Sequence, residues 1–133
     1  MNKTLISILA LTFLMLSSCK EDESMNPQND ITINFAEPVA STMYGQGDTV
    51  YINGMISADM EMHGYEISLV NTSNNNTEVF NKHAHEDGLM FHIHEMWVND
   101  VNSHSDMVLT ITIDKNHEGD KETKTILFHC HPM

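Results

Sequence analysis

Leu89-Met90-Phe91-His92-Ile93-His94-Glu95-Met96-Trp97-Val98 is the stretch that decides how this chain folds. Successive side chains on a strand point to opposite faces. Leu89, Phe91 and Ile93 therefore share one face, and Met90, His92, His94 and Met96 share the other. The apolar trio is expected in a core, which leaves two imidazoles between two thioethers on the outer face. A His-x-His pair on one strand face spaces its rings about 6–7 Å apart along the chain, near enough for both to reach one ion.

Outward from this stretch the same short rhythm continues. Strands are expected at 31–35, 49–57, 64–70, 78–81, 89–98, 107–114 and 123–130. Turn sequences separate them, among them Gly45-Gln46-Gly47-Asp48, Glu86-Asp87-Gly88 and the polar runs 71–76 and 116–120. No capped helical pattern interrupts them. Seven strands in about 100 residues with regular turn signals indicate an all-β fold, a single immunoglobulin-like β-sandwich over residues 31–133. In that layout the second and fifth strands pair. Val50, Ile52 and Ile56 then point inward, and Tyr51, Asn53 and Met55 join the His92/His94 face. Met55 is accordingly a candidate ligand beside Met90, His92, His94 and Met96. The segment Asp59-Met60-Glu61-Met62-His63 reads as a loop beyond this strand, and offers Met60, Met62 and His63 as weaker candidates.

Two further clusters carry metal-binding side chains. His129-Cys130-His131-Pro132-Met133 combines imidazole, thiol and thioether, and can form a second site or complete the first. Alternation puts Cys130 on the face of Ile126 and Phe128, opposite His129 and His131, so a core thiol is the competing reading for Cys130. His83-Ala84-His85-Glu86-Asp87 reads as a loop mixing imidazole with carboxylate, which suits Zn²⁺ or Cu(II); His83 and His85 are weaker candidates. His104 and His117 fall in turns and read as surface residues. Thioether ligands favour Cu(I) over Zn²⁺. The interleaving of Met with His therefore points to copper, with zinc as the alternative.

Composition narrows the partners. The net charge is −13, Lys and Arg together number only 6, and every one of those is Lys. Nucleic acid and anionic lipid both call for basic surface, so neither is expected as a partner. The chain has 9 His and 11 Met, a bias that suits soft-metal handling.

The N-terminus addresses the compartment. Lys3 precedes an apolar run from Leu5 to Leu16, which closes in Leu16-Ser17-Ser18-Cys19. A basic residue, about a dozen apolar residues and small residues before a cut read as a secretory signal over 1–18. Leu-Ser-Ser-Cys resembles the lipobox of bacterial lipoproteins, which implies cleavage before Cys19 and acylation of its sulfur. Residues 19–30 then form a lipidated, acidic tether. Lys20-Glu21-Asp22-Glu23 resembles the surface-export signal of Bacteroidetes lipoproteins. With the strand rhythm, it makes the chain similar to immunoglobulin-like lipoproteins of that group. The resemblance implies a lipid anchor in the cell envelope, at the outer membrane, with the domain on the cell surface; if Lys20-Glu21-Asp22-Glu23 is only a solvated linker, the domain faces the periplasm instead. Cys19 being used by the lipid, Cys130 has no partner for an intrachain disulfide.

Phe91-His92-Ile93-His94-Glu95 is also similar to the Phe-His-Val-His-Glu signature of copper-zinc superoxide dismutases. That resemblance implies His92 and His94 as copper ligands. The chain departs from the family in its short stretch after Glu95, its unpaired Cys130 and its lack of Arg. No nucleophile elbow, phosphate-cradling Gly loop or His-Glu-x-x-His helix is present. The expected function is metal capture, buffering or delivery by an exported lipoprotein. The alternatives are an accessory sandwich that binds a protein partner, and a copper-only dismutase-like enzyme.

Overall fold

From Ile31 on, β-branched and aromatic residues recur at alternate positions, a pattern that suits a pleated surface buried on one side. The computed structural model describes residues 29–133. It forms eight strands: β1 (Ile31–Glu37), β2 (Met43–Gly45), β3 (Thr49–Met62), β4 (Tyr65–Asn71), β5 (Thr77–Ala84), β6 (Gly88–Val98), β7 (Ser105–Asp114) and β8 (Lys121–His131). No helix occurs among the described residues. The expected signal peptide, Cys19 and most of the tether lie outside them.

The strands form two sheets, ordered β1-β3-β6 and β2-β8-β7-β4-β5. Every pairing is antiparallel except β2 with β8. Two facing sheets that take β1 and the short β2 on opposite sides, with β3 and β6 paired in one of them, make this an immunoglobulin-like sandwich.

Between the sheets the inward residues meet. Ile52, Ile56 and Val50 of β3 and Phe91 and Ile93 of β6 pack with Ile67 and Leu69 of β4, with Met107, Leu109, Ile111 and Ile113 of β7, and with Ile126 and Phe128 of β8. Each fully buried side chain of this size contributes about 1.5–3 kcal/mol, which sets the alternation of every central strand.

The structure departs from the sequence reading in five places. The eighth strand is the three-residue β2, too short for a periodicity to register. β3 runs on through Asp59-Met60-Glu61-Met62, which was expected as a loop. Its ladder with β6 is broken between Ser57 and Met62, yet Met62 keeps the inward parity of Val50, Ile52 and Ile56 and ends fully buried. Leu89 was expected in the core and is 55% exposed, because the sandwich closes at Phe91. His83 and Ala84 lie on β5, not in a loop. The folded unit also starts inside the expected tether. Asn29 is buried, its Nδ2 donates to the Met60 carbonyl (3.0 Å), and its Oδ1 accepts from the Met60 N–H (2.9 Å).

Candidate functional site

The β3–β6 ladder builds the face that the His-x-His stretch announces. Phe91 and Ile93 anchor β6 from below, so Met90, His92, His94 and Met96 stand outward. Met90 is 52% and Met96 62% exposed. In register, Met55 lies opposite His92, Asn53 opposite His94, Tyr51 opposite Met96 and Ser57 opposite Met90. Directly opposed residues carry Cβ atoms about 4.5–5.5 Å apart, which brings the Met55 thioether within reach of the His92 ring. Asn34 of β1 lies beyond Met55.

His94 is held by a short relay. The Asn53 Nδ2 donates to Glu37 Oε2 at 2.6 Å, and this orients the amide with its oxygen toward His94. His94 Nδ1 lies 3.2 Å from that oxygen. An amide oxygen only accepts, so Nδ1 carries the hydrogen. In the neutral ring the Nε2 lone pair is then left free, as in metal-bound histidines whose other nitrogen is engaged by an oxygen. An open hollow of about 460 Å³ flanks His94, lined by Asn34, Phe35, Asn53, Gly54 and Met55.

The C-terminal cluster lies on the other sheet. Outward faces of the two sheets point away from each other across a core about 10 Å thick. His129 and His131 therefore do not complete the His92/His94 set. Cys130 is 1% exposed on the core face, where burial, with a smaller effect of Asp48, pushes its thiol up to about 11. A thiol so held is packing, not a ready thiolate ligand. His129 Nδ1 lies 2.8 Å from Asp106 Oδ1, and His131 Nδ1 lies 2.9 Å from the Pro132 carbonyl. His104, read as a surface residue, stacks toward His131 with ring centroids 6.2 Å apart. With Met43 these groups line a hollow of about 350 Å³. Met133 is fully exposed.

The third cluster gathers at the end of β3. His63 Nδ1 lies 2.6 Å from Asp87 Oδ1, and its ring stacks on His117 with centroids 3.4 Å apart. His85 and Asp114 join them around a hollow of about 400 Å³, and the His83 and His85 rings lie 4.3 Å apart. Sequence reasoning missed His117, since its approach to His63 spans from β3 to the β7–β8 turn. The backbone hydrogen bond from the His63 N–H to the Asp114 carbonyl (2.9 Å) creates that approach. Met60 is partly exposed on β3, and Met62 is buried in the core and cannot reach an ion.

Among the described residues, no three His, Cys, Asp or Glu side chains group around a common point suited to a metal ion. On the β3–β6 face, further ligands for the two imidazoles of one chain are thioethers.

No family model matches the chain. No curated protein matches it either. Among solved structures it is similar to murine CRIg, at 8% identity over 78% of this chain and 98% of that one, with a TM-score of 0.47. It is also similar to a CARDB domain from Pyrococcus furiosus, crystallised in complex with di-metal ions, at 11% identity over 75% of this chain and 93% of that one, with a TM-score of 0.43. Likenesses this remote carry no argument about what the chain does.

Proposed function

We propose that the chain is an exported, lipid-anchored protein of the cell envelope whose sandwich captures, buffers or delivers copper on the outer face of the β1-β3-β6 sheet. One observation carries the reading: the β3–β6 register sets Met55 opposite His92 and Asn53 opposite His94, on the strand that also bears Met90 and Met96. Imidazole with thioether is a donor set that Cu(I) prefers and Zn²⁺ rarely uses. Zinc, as the alternative ion, is better served by the imidazoles and carboxylates around His63 and His117. Asn53 acts here as the outer partner that leaves His94 Nε2 free. The net charge of −13 favours approach of cations. Export and anchoring rest on the apolar run from Leu5 and on Leu16-Ser17-Ser18-Cys19.

A second reading has its own observation. Tyr51, Met90, Met96 and Val98 are exposed on the same face, and such apolar surface also suits a protein partner. An accessory sandwich whose His and Met are incidental would look the same in these respects. Dismutase-like chemistry finds no comparable support, since among the described residues no third imidazole joins His92 and His94.

The test is a Cu(I) competition titration of the full-length chain in detergent under reducing conditions, beside the His92→Ala/His94→Ala double variant. One tightly held equivalent, lost in the double variant, is expected. Tight binding that survives in the double variant overturns this site. Absence of binding in both chains leaves the protein-partner reading.

A further inference from the structure

β6 is an outermost strand. Among the described residues it pairs with β3 alone. Exposed edges of this kind are usually blunted by Lys, Pro, bulges or short length. β6 has eleven residues without Pro or Lys, and keeps regular register with β3 from Met90 to Val98. The strand's one carboxylate, Glu95, lies on the inner side and is paired with Lys82 of β5 at 3.4 Å, so no unpaired charge of this kind guards the edge.

The outward row of β6 reads Met90, His92, His94, Met96, the same in either direction about Ile93. Ile93 is also the midpoint of the strand, whose ends are Gly88 and Val98. Two copies of β6 laid antiparallel about a two-fold axis through Ile93 thus use the whole strand. His92 then faces the partner's His94, and Met90 faces the partner's Met96. An axis moved by half a residue step opposes outward to inward side chains, and one moved to His92 or His94 sets Met against His and shortens the ladder.

From this symmetry, and resting on the copper reading above, we infer that copper joins two copies of this chain edge to edge through β6. Met90 and His92 of one copy form each site with His94 and Met96 of the partner subunit. The second site is its symmetry mate, so the dimer holds one ion per chain. Opposed residues on antiparallel strands have Cβ atoms about 4.5–5.5 Å apart, closer than the about 6–7 Å between alternate residues of one strand. The pair across the interface is therefore better placed to share an ion than the pair within a chain. On the inner side, Trp97 faces the partner's Leu89, which covers a side chain that is 55% exposed in the single chain. Two chains of charge −13 repel, so the cations make the assembly metal-dependent.

Complementation tests the inference, using Cu(I) as the probe and full-length chains in detergent. His92→Ala and His94→Ala chains are each titrated alone and then mixed in equal amounts. Each alone keeps one imidazole per site and is expected to lose at least tenfold in affinity. A heterodimer regains one intact site, from His94 of the first variant and His92 of the second. The mixture should therefore recover wild-type affinity at up to half the wild-type stoichiometry. The wild-type mass should double with Cu(I) and return on chelation. Leu89→Lys, which retains every ligand, should weaken the doubling. A mixture that binds no better than its components, beside a wild type that binds one ion as a monomer, overturns the dimer and leaves the copper reading standing. A wild type that binds no Cu(I) overturns both. Circular dichroism of each variant checks the fold, and both substituted side chains are exposed.

Discussion

Gly54→Ala measures how closely β1 is seated on the strand that carries Asn53 and Met55. Gly54 lies opposite Phe35 on one side and Ile93 on the other. A Cβ there would stand 2.6 Å from Phe35 Cγ and 2.7 Å from the Asn34 carbonyl oxygen, where ordinary contact begins at 3.4 Å. The ring can tilt. The carbonyl belongs to a paired strand, so β1 itself must move. Overpacking of this kind costs about 1–3 kcal/mol, and the stiffer unfolded chain returns about 0.4–1 kcal/mol, leaving a net loss of about 1–2 kcal/mol. For a domain of about 100 residues this lowers Tm by roughly 5–15 °C. Guanidinium titration and thermal melts of the variant read the loss directly. A Phe35→Ala/Gly54→Ala cycle should show favourable coupling, because removing the ring relieves one of the two contacts. An unchanged denaturation midpoint in Gly54→Ala would refute the reasoning, since β1 would then have slack that the distances deny.

Asn53→Ala should weaken Cu(I) binding by up to about tenfold, the low end for an outer partner because this hydrogen bond is exposed, with Tm little changed. Competition titration reads the affinity, and wild-type affinity in the variant argues that the relay to Glu37 does not position His94. Cys130 in the native chain should resist alkylation at pH 8, with the label located by mass analysis, and should react once the chain is unfolded. Its thiol is raised from 9.0 to about 11, so the stability it contributes is complete below pH 9 and fades as pH climbs toward 11. Tyr44 and Tyr65, raised by burial with help from Glu37 and Glu86 respectively, act in the same direction. Denaturation midpoints should therefore fall between pH 8 and 10.5, and Cys130→Ala should flatten that slope without abolishing it.

What the sequence made legible was local and periodic. The alternation around His92 and His94 gave the strand and its two faces, the immunoglobulin-like layout gave its pairing with the strand of Met55, and the inward parity of Phe91, Ile93, Ile52 and Ile56 excluded any one-residue slip. Length and register breaks were harder. β2 has three residues, and the break between Ser57 and Met62 let β3 continue through a stretch that reads as a turn. Leu89 misled because hydrophobicity says nothing of where a sandwich ends. The candidate groups divided on the same principle. Cys130 followed its strand parity into the core. The His63–His117 stack and the approach of His104 to His131 depend on which loops meet at one end, which no single segment encodes.

The grip of Asn29 on Met60 also sets a length. Asn29 stands ten residue steps after Cys19, and ten steps span at most about 33–36 Å when fully drawn out. If the sulfur of Cys19 holds the lipid as proposed, the sandwich is leashed to within roughly its own breadth of the membrane. Copper handed over from its β6 edge would then pass to something that is itself embedded in, or resting on, that same membrane surface.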